Sequence, residues 1–277
     1  MNRERIMCVI GPTASGKSAR AIALAKEHGS EVISVDSRQV YRTLDIGTEK
    51  IGKEEMGGIP HHLIDIREPE ECYSAGDFVE DATARIADIT ARGKLPILAG
   101  GTHFYFDALV RGLPSSPKKA IPYMVSPEKT NEELYEEIVC RDPRRAGELD
   151  PKNRRRLIRA LELIDQYGVV PTREVTPHEL KYKVEWVVLS LEKEEIRARI
   201  RARLTETLKR GLVEEVRHIR ERVGDTRLNE LGLEYRVVGE YLRGERDEAS
   251  LLPALTSKLF QYARRQEAWI RKLTGTP

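Results

Sequence analysis

Eight residues near the N-terminus, Gly11-Pro12-Thr13-Ala14-Ser15-Gly16-Lys17-Ser18, have the types and spacing of a phosphate-binding loop, GxxxxGK(S/T). Glycines let a backbone curl until successive N–H groups face inward as an anion nest, and a following helix N-terminus adds partial positive charge. Lys17 is expected to reach terminal phosphates, and the Ser18 hydroxyl to hold Mg²⁺. Read alone, the loop implies a nucleotide such as ATP and, by default, a kinase. A chance glycine-rich turn is the alternative.

Other residues could add chemistry. Asp36 heads Asp36-Ser37-Arg38-Gln39-Val40-Tyr41. A carboxylate at a strand end across from a phosphate loop serves as general base or Mg²⁺ ligand, or else caps backbone amides in an ordinary turn. Gly100-Gly101-Thr102 ends another apolar run, where the glycines permit close approach of a ligand and the hydroxyl both donates and accepts. The same residues would also suit a tight turn. No acidic residue ends that run, which argues against a hydrolysis-driven motor. Arg155 and Arg159 stand one helical turn apart in a run with Arg154 and Arg156, so they either grip phosphates or form a solvated face. Arg199 and Arg203 share a second basic face, with Glu194, Glu195 and Glu206 near enough for surface ion pairs. Arg264, Arg265 and Gln266, interleaved with Tyr262 and Trp269, suit an RNA surface or pack into the core. His61 and His62 are adjacent and point apart, so a shared metal is not expected; one should be structural and the other exposed.

These residues need a scaffold. Ile6–Ile10 reads as a buried strand, 16–28 as a helix stopped at Gly29, and 31–35 as a second strand. Strand, helix, strand over about thirty residues implies a right-handed parallel crossover, with ligands beyond the strands' C-terminal ends. Asp36 then shares a rim with the phosphate loop. Residues 37–76 read as a long surface loop. A helix over 74–92 has Ser74 as N-cap, and 95–99 is a third strand that leads through Gly100-Gly101-Thr102 into a helix over 103–111. Residues 113–130, rich in Pro, Ser and Lys, mark a boundary. Helices follow at 131–140, 151–166, 193–222 and 248–273, and one strand at 185–190 rejoins the sheet.

The expected class is α/β: a P-loop NTPase-like parallel sheet over 1–112 and 181–277 with C-terminal helices, and a small helical insertion over 113–180. The 277 residues are 40% hydrophobic and 33% charged, as in a folded soluble protein. A net charge of +2 gives no whole-chain polyanion signal, so any nucleic-acid argument rests on the local basic clusters. Cys8, Cys72 and Cys140 have neither CxxC spacing nor a disulfide pattern, which fits a reducing cytoplasm. No signal peptide or membrane-spanning run is read, and a monomer is expected.

In combination these segments resemble the bacterial tRNA dimethylallyltransferase (tRNA isopentenyltransferase) family. The resemblance covers Gly11–Ser18, Asp36–Tyr41, Asp45–Thr48, Pro60–Leu63, Tyr73–Ala75, Gly100–Thr102 and Arg159–Glu162. It continues through Arg199-Ile200-x-x-Arg203, Gly211-Leu212-x-Glu214-Glu215-Val216 and Arg264-Arg265-Gln266-x-x-Trp269.

The family moves a dimethylallyl group from dimethylallyl diphosphate to N6 of adenosine 37, beside the anticodon. The resemblance implies diphosphate on the backbone of 13–18, with Lys17, Ser18-bound Mg²⁺ and Arg203 neutralising the leaving charge. It makes Asp36 the base that takes the N6 proton and Thr102 a positioner of the amine. Ser37, Arg38, Gln39, Arg155, Arg156, Arg159 and Arg265 become tRNA contacts, Gln39 by reading a neighbouring base. Three stretches depart from the family pattern, one of them 114–130, which matches poorly and is trimmed. His103-Phe104 replaces Gly-Leu after Gly-Gly-Thr, which bears on the channel's shape, and Glu234-Tyr235-Arg236-Val237 replaces Gly-Tyr-Arg-Gln. The competing readings are a prenyltransferase acting on free AMP, ADP or ATP, a small-molecule kinase, and a non-catalytic RNA-binding ATPase.

Overall fold

The computed structural model describes residues 3–113, 129–171 and 180–275. The chain divides into two compact units, Met1–Arg111 with Leu180–Pro277, and Gly112–Glu179.

The first unit is built on a parallel sheet. Its strands are β1 (Arg5–Ile10), β2 (Val32–Ser34), β3 (His61–His62), β4 (Ile97–Ala99) and β5 (Lys183–Val188), in the order β3-β2-β4-β1-β5. The register sets Val9 beside Ala99 and Ser34 beside Ala99, so β1, β2 and β4 end level on one rim. Strand alternation divides the core between the two sheet faces. Met7, Val9, Ile97 and Ala99 pack with Ala21, Leu24 and Ala25 of α1 (Lys17–Glu27). Ile6, Cys8, Ile10, Ile33 and Leu98 face the larger core. That core takes side chains from α2 (Ala75–Ala91) and α3 (His103–Arg111). It also takes them from α7 (Lys193–Lys209), α8 (Leu212–Glu230), α9 (Leu233–Leu242) and α10 (Leu251–Thr274). Helix α2 starts with the expected cap: Asp77 N donates to Ser74 Oγ at 3.2 Å, and Ser74 N donates to the Asp77 carboxylate at 2.8 Å.

The second unit has α4 (Asn131–Arg141), α5 (Pro143–Ala146) and α6 (Arg154–Tyr167) around a small core of Leu134, Ile138, Leu157, Leu161 and Ile164. Most of the expected boundary region, 114–128, lies outside the described residues.

Several elements differ from the sequence reading. The expected helix over 193–222 is two helices, because Gly211 takes φ +100° after α7 ends, and α8 is itself broken at Gly224, φ +71°. Helix α9 was not expected. The loop over 37–76 carries β3 and a bridge between Tyr41 and Arg67, which hold it against the sheet edge.

His62 and His61 are both half-buried, so neither is the exposed one. His61 Nδ1 lies 2.8 Å from the Ile59 carbonyl and His62 Nε2 lies 2.9 Å from Glu31. Glu31, 3% exposed, is also bound by Arg92 and by Lys94 at 2.9 Å, which ties the start of β2 to β3, to the end of α2 and to the segment leading into β4. The Arg92 hydrogen bonds, then Lys94 and His62, hold this carboxyl far below the ordinary carboxylate range despite burial.

A depressed folded-state pKa contributes stability above the unfolded value of about 4.3 and loses it as pH falls towards the folded one. Glu31→Gln should therefore cost about 3 kcal/mol at neutral pH and flatten the loss of stability below about pH 5. Urea unfolding between pH 3 and 8 checks both.

Candidate active site

Beyond the level ends of β1, β2 and β4 lies a cleft of about 730 Å³. The phosphate loop forms one wall. Gly16 takes φ +87° and Ala14 φ +64°, so the left-handed turns fall on these two positions. Gly11 serves close approach instead: a Cβ there would meet Ser15 Oγ at 2.6 Å and the Leu189 carbonyl at 2.9 Å. Two loop amides are already committed, Thr13 N to Gln266 Oε1 at 2.7 Å and Ser15 N to the Pro12 carbonyl at 3.3 Å. The anion nest therefore narrows to the amides around Gly16, Lys17 and Ser18, which open α1 and have no intrahelical acceptors.

Lys17 Nζ folds back onto the Pro12 carbonyl at 2.7 Å. Burial lowers its pKa to about 8, against the pull of Asp36 and with the push of Arg203. Arg203 Nη1 donates to Thr13 Oγ1 at 3.1 Å, while its buried Nε has no partner among the described residues. Ser15 Oγ is likewise buried without one. Orphaned polar atoms at a cationic loop are what an absent anion would satisfy.

The second wall is the strand-end pair. Gly100 lies so close to β2 that a Cβ would sit 2.1 Å from the Val35 carbonyl, which only glycine tolerates. Thr102 Oγ1 accepts from Ser37 N at 2.9 Å and donates to Ser37 Oγ at 3.3 Å, so it fixes the Asp36–Ser37 segment. Asp36 Oδ1 accepts from the Arg38 and Gln39 amides at 2.8 and 3.3 Å, the turn geometry that was one of its readings. Its Oδ2 has no donor among the described residues. Burial pushes this carboxyl above the usual range, opposed by those amides and by the charges of Arg38 and Lys17. One oxygen is held by the turn while the other stays available and more basic than usual.

Asp36, Ser37, Arg38, Gln39, Thr102, Arg199, Arg203 and Arg265 all line this cleft with Thr13, Ala14, Gly16, Lys17 and Ser18. The Gln39 amide nitrogen is occupied, donating to the Thr48 and Glu49 carbonyls at 3.2 Å each. Arg155, Arg156 and Arg159 are exposed on α6 of the second unit, and Arg159 pairs with Glu162 at 2.8 Å.

His103 and Phe104 are not among the cleft's lining residues. His103 is buried and hydrogen-bonds the Gly101 backbone; burial and Lys17 lower its pKa to about 4, so it is neutral. Phe104 points outward, 49% exposed. Glu234 does line the cleft, and burial raises its pKa against the attraction of Arg203.

Sequence reasoning missed how much α8, α9 and α10 organise the site. Gln266, 3% exposed, accepts from Thr13 N and donates to the Gly101 carbonyl at 2.8 Å, so it bridges both walls. Tyr262 OH reaches the same carbonyl at 3.3 Å. The Glu215 carboxylate accepts from the amides of Asp45, Ile46 and Gly47 at 2.6–2.9 Å and from Tyr235 OH at 2.6 Å. A buried polar residue in an otherwise apolar helix stripe was the available signal for Gln266.

A family model described as IPP transferase matches residues 39–273. The chain belongs to the IPP transferase family. It is 39% identical over 274 residues to tRNA dimethylallyltransferase of Anoxybacillus flavithermus, covering 97% of this chain and 88% of that one. It is 38% identical over 282 residues to tRNA dimethylallyltransferase of Thermomicrobium roseum, covering 98% and 84%. Among solved structures, a tRNA isopentenylpyrophosphate transferase of Bacillus halodurans superposes with a TM-score of 0.72 at 33% identity, covering 97% and 87%. A eukaryotic dimethylallyltransferase acting on tRNA gives 0.81 at 27% identity, covering 96% and 70%. The P-loop NTPase-like α/β class expected from sequence is the fold of these family members.

Lys17 must be protonated to hold an anion, so its contribution is complete below about pH 8 and fades above it, later once a bound anion raises its pKa. The ratio of inorganic diphosphate affinity between wild type and Lys17→Met should fall towards one as pH rises from 7 to 10. Calorimetric titration of both proteins checks this and cancels the titration of diphosphate itself.

Proposed function

We propose that the protein is a tRNA dimethylallyltransferase, transferring a dimethylallyl group from dimethylallyl diphosphate to N6 of adenosine 37 and releasing diphosphate. The observation that carries this reading is the cleft's pairing of a cationic phosphate loop with a half-buried carboxylate, Asp36. Family membership over nearly the whole chain supports the same reaction.

In the proposed mechanism the diphosphate lies on the amides around Gly16–Ser18. Lys17 and the orphaned Nε of Arg203 neutralise the charge that develops on it. Adenine is flipped into the cleft from the anticodon loop, because a stacked base is out of reach. Its exocyclic amine is a weak nucleophile whose lone pair is delocalised into the ring. Alignment and proton removal therefore both help. The N6–C bond forms as the allylic C–O bond breaks, diphosphate leaves with the electron pair, and the N6 proton passes to Asp36 Oδ2. Thr102 holds Asp36's segment in place through Ser37. Ser37, Arg38 and Arg265 meet RNA at the cleft, and Arg155, Arg156 and Arg159 meet the anticodon stem. Gln39 reads a base only after releasing Thr48 and Glu49.

Among the described residues no three His, Cys, Asp or Glu side chains gather as a metal site. The Ser18 hydroxyl, which lines the cleft at the start of α1, would hold Mg²⁺, an ion that keeps several waters and takes few protein ligands. When bound, Mg²⁺ supplies charge neutralisation of the leaving group. Among the described residues no helix is long and apolar enough to cross a membrane.

The test is incubation with unmodified tRNA, labelled dimethylallyl diphosphate and Mg²⁺, followed by digestion. Label in N6-prenyladenosine from tRNA supports the proposal; label on free AMP alone, or ATP consumption without prenyl transfer, contradicts it. Asp36→Ala should lower turnover by at least about 100-fold while tRNA affinity stays within a few-fold. Arg203→Ala should mainly weaken use of the diphosphate substrate. Unchanged kinetics in either variant would remove that residue's role.

A further inference from the structure

Helix α10 carries Tyr262, Arg265, Trp269 and Lys272 at spacings of three, four and three, so they share one face. Aromatic and cationic side chains alternate along it. The stripe begins in the cleft, which Tyr262 and Arg265 both line. It runs out to Trp269, whose ring meets Phe104 edge-to-face at 6.4 Å and 69°. Lys272 Nζ lies 5.0 Å from the Trp269 ring centroid. Arg111 locks α3 to α10 by donating to the carbonyls of Lys272 and Leu273 at 3.2 and 3.1 Å.

Phe104 is thus a large ring, 49% exposed, held in place from behind. It follows Thr102 by two residues, at most about 7.6 Å between Cα atoms, or roughly two stacked nucleotide steps. Between residues 262 and 275 the charged side chains are Arg264, Arg265, Arg271 and Lys272 against the single acid Glu267. Exposed aromatic faces set among cations are the pattern of single-stranded nucleic-acid sites, where bases stack and phosphates are neutralised.

We propose that the exposed face of Phe104, buttressed by Trp269 and flanked by Arg265 and Lys272, is a stacking platform for an unpaired RNA nucleotide next to the base held in the cleft. This rests on the tRNA-modifying reading and deepens it. The occupant is an RNA strand, because the stripe is continuous with the cleft and its charge complements phosphate. Phe104 and Trp269 lie outside the reacting centre, so the platform acts on binding and register and leaves chemistry alone.

The test uses the full chain, unmodified tRNA and dimethylallyl diphosphate. Phe104→Ala should raise KM for tRNA by about 5- to 100-fold with kcat within two-fold, and Phe104→Leu should fall between. Anticodon stem-loops with an abasic nucleotide on one or the other side of the target adenosine supply the second arm. At one of the two positions the missing base should cost wild type a similar factor and cost Phe104→Ala nothing further. In a Trp186→Phe background, which leaves Trp269 the sole tryptophan, the stem-loop should quench emission and Phe104→Ala should weaken that quenching. An unchanged KM in Phe104→Ala would overturn the platform, as would abasic losses equal in both proteins. A dimer that Phe104→Ala dissociates, with KM unchanged, would overturn it in favour of a second copy of the chain. Absence of prenyl transfer by wild type would instead overturn the underlying reading.

Discussion

One buried amide holds the two walls of this site together. Gln266 accepts a hydrogen bond from Thr13 N of the phosphate loop and donates one to the Gly101 carbonyl just past β4. Neither loop is long enough to set its distance from the other, and parallel pairing of β1 with β4 brings only their stems level. The amide converts that rough adjacency into a fixed gap. It can do so because a buried donor or acceptor left unpaired costs more than the bond itself returns, so the bridged arrangement is strongly preferred. Tyr262, one helical turn earlier, adds a second donor to the same carbonyl.

Within that gap the cleft manages charge by burial. Lys17 and Asp36 are both pulled towards their neutral forms, and each partly restores the other's charge. Glu234 adds another carboxyl facing Arg203 and Asp36. In the proposed reaction an incoming dianion or trianion would relieve Lys17 and the orphaned Arg203 Nε, and the departing amine proton would relieve Asp36 Oδ2. The loop needs no phosphoryl transfer for this, because an allylic diphosphate is already activated. A fold usually linked with nucleotide hydrolysis can therefore serve alkyl transfer through its leaving-group side alone.

Local signals carried most of the fold and much of the site. The strand, phosphate loop and helix over 5–27 were legible because the motif is contiguous, and the start of α3 was marked by Gly100-Gly101-Thr102. Asp36, Thr102 and Lys17 do converge on one cleft, as strand-end logic required, and Arg203, placed there by the family resemblance, lines it too. The break between α7 and α8 was missed because a lone glycine inside a helical pattern is usually tolerated, whereas Gly211 sits at φ +100°. The roles of Gln266, Glu215 and Glu234 were not legible. Thr13 and Gln266 are 253 positions apart, and no local periodicity reports a contact at that separation.

The central claim is that the phosphate loop holds a diphosphate as it leaves, and the stoichiometry of release tests it most directly. With dimethylallyl diphosphate labelled in its phosphates, unmodified tRNA, Mg²⁺ and no ATP, a single turnover should release one inorganic diphosphate for each N6-prenyladenosine formed. Release of monophosphate, a requirement for ATP, or diphosphate appearing without prenylated adenosine would contradict the account.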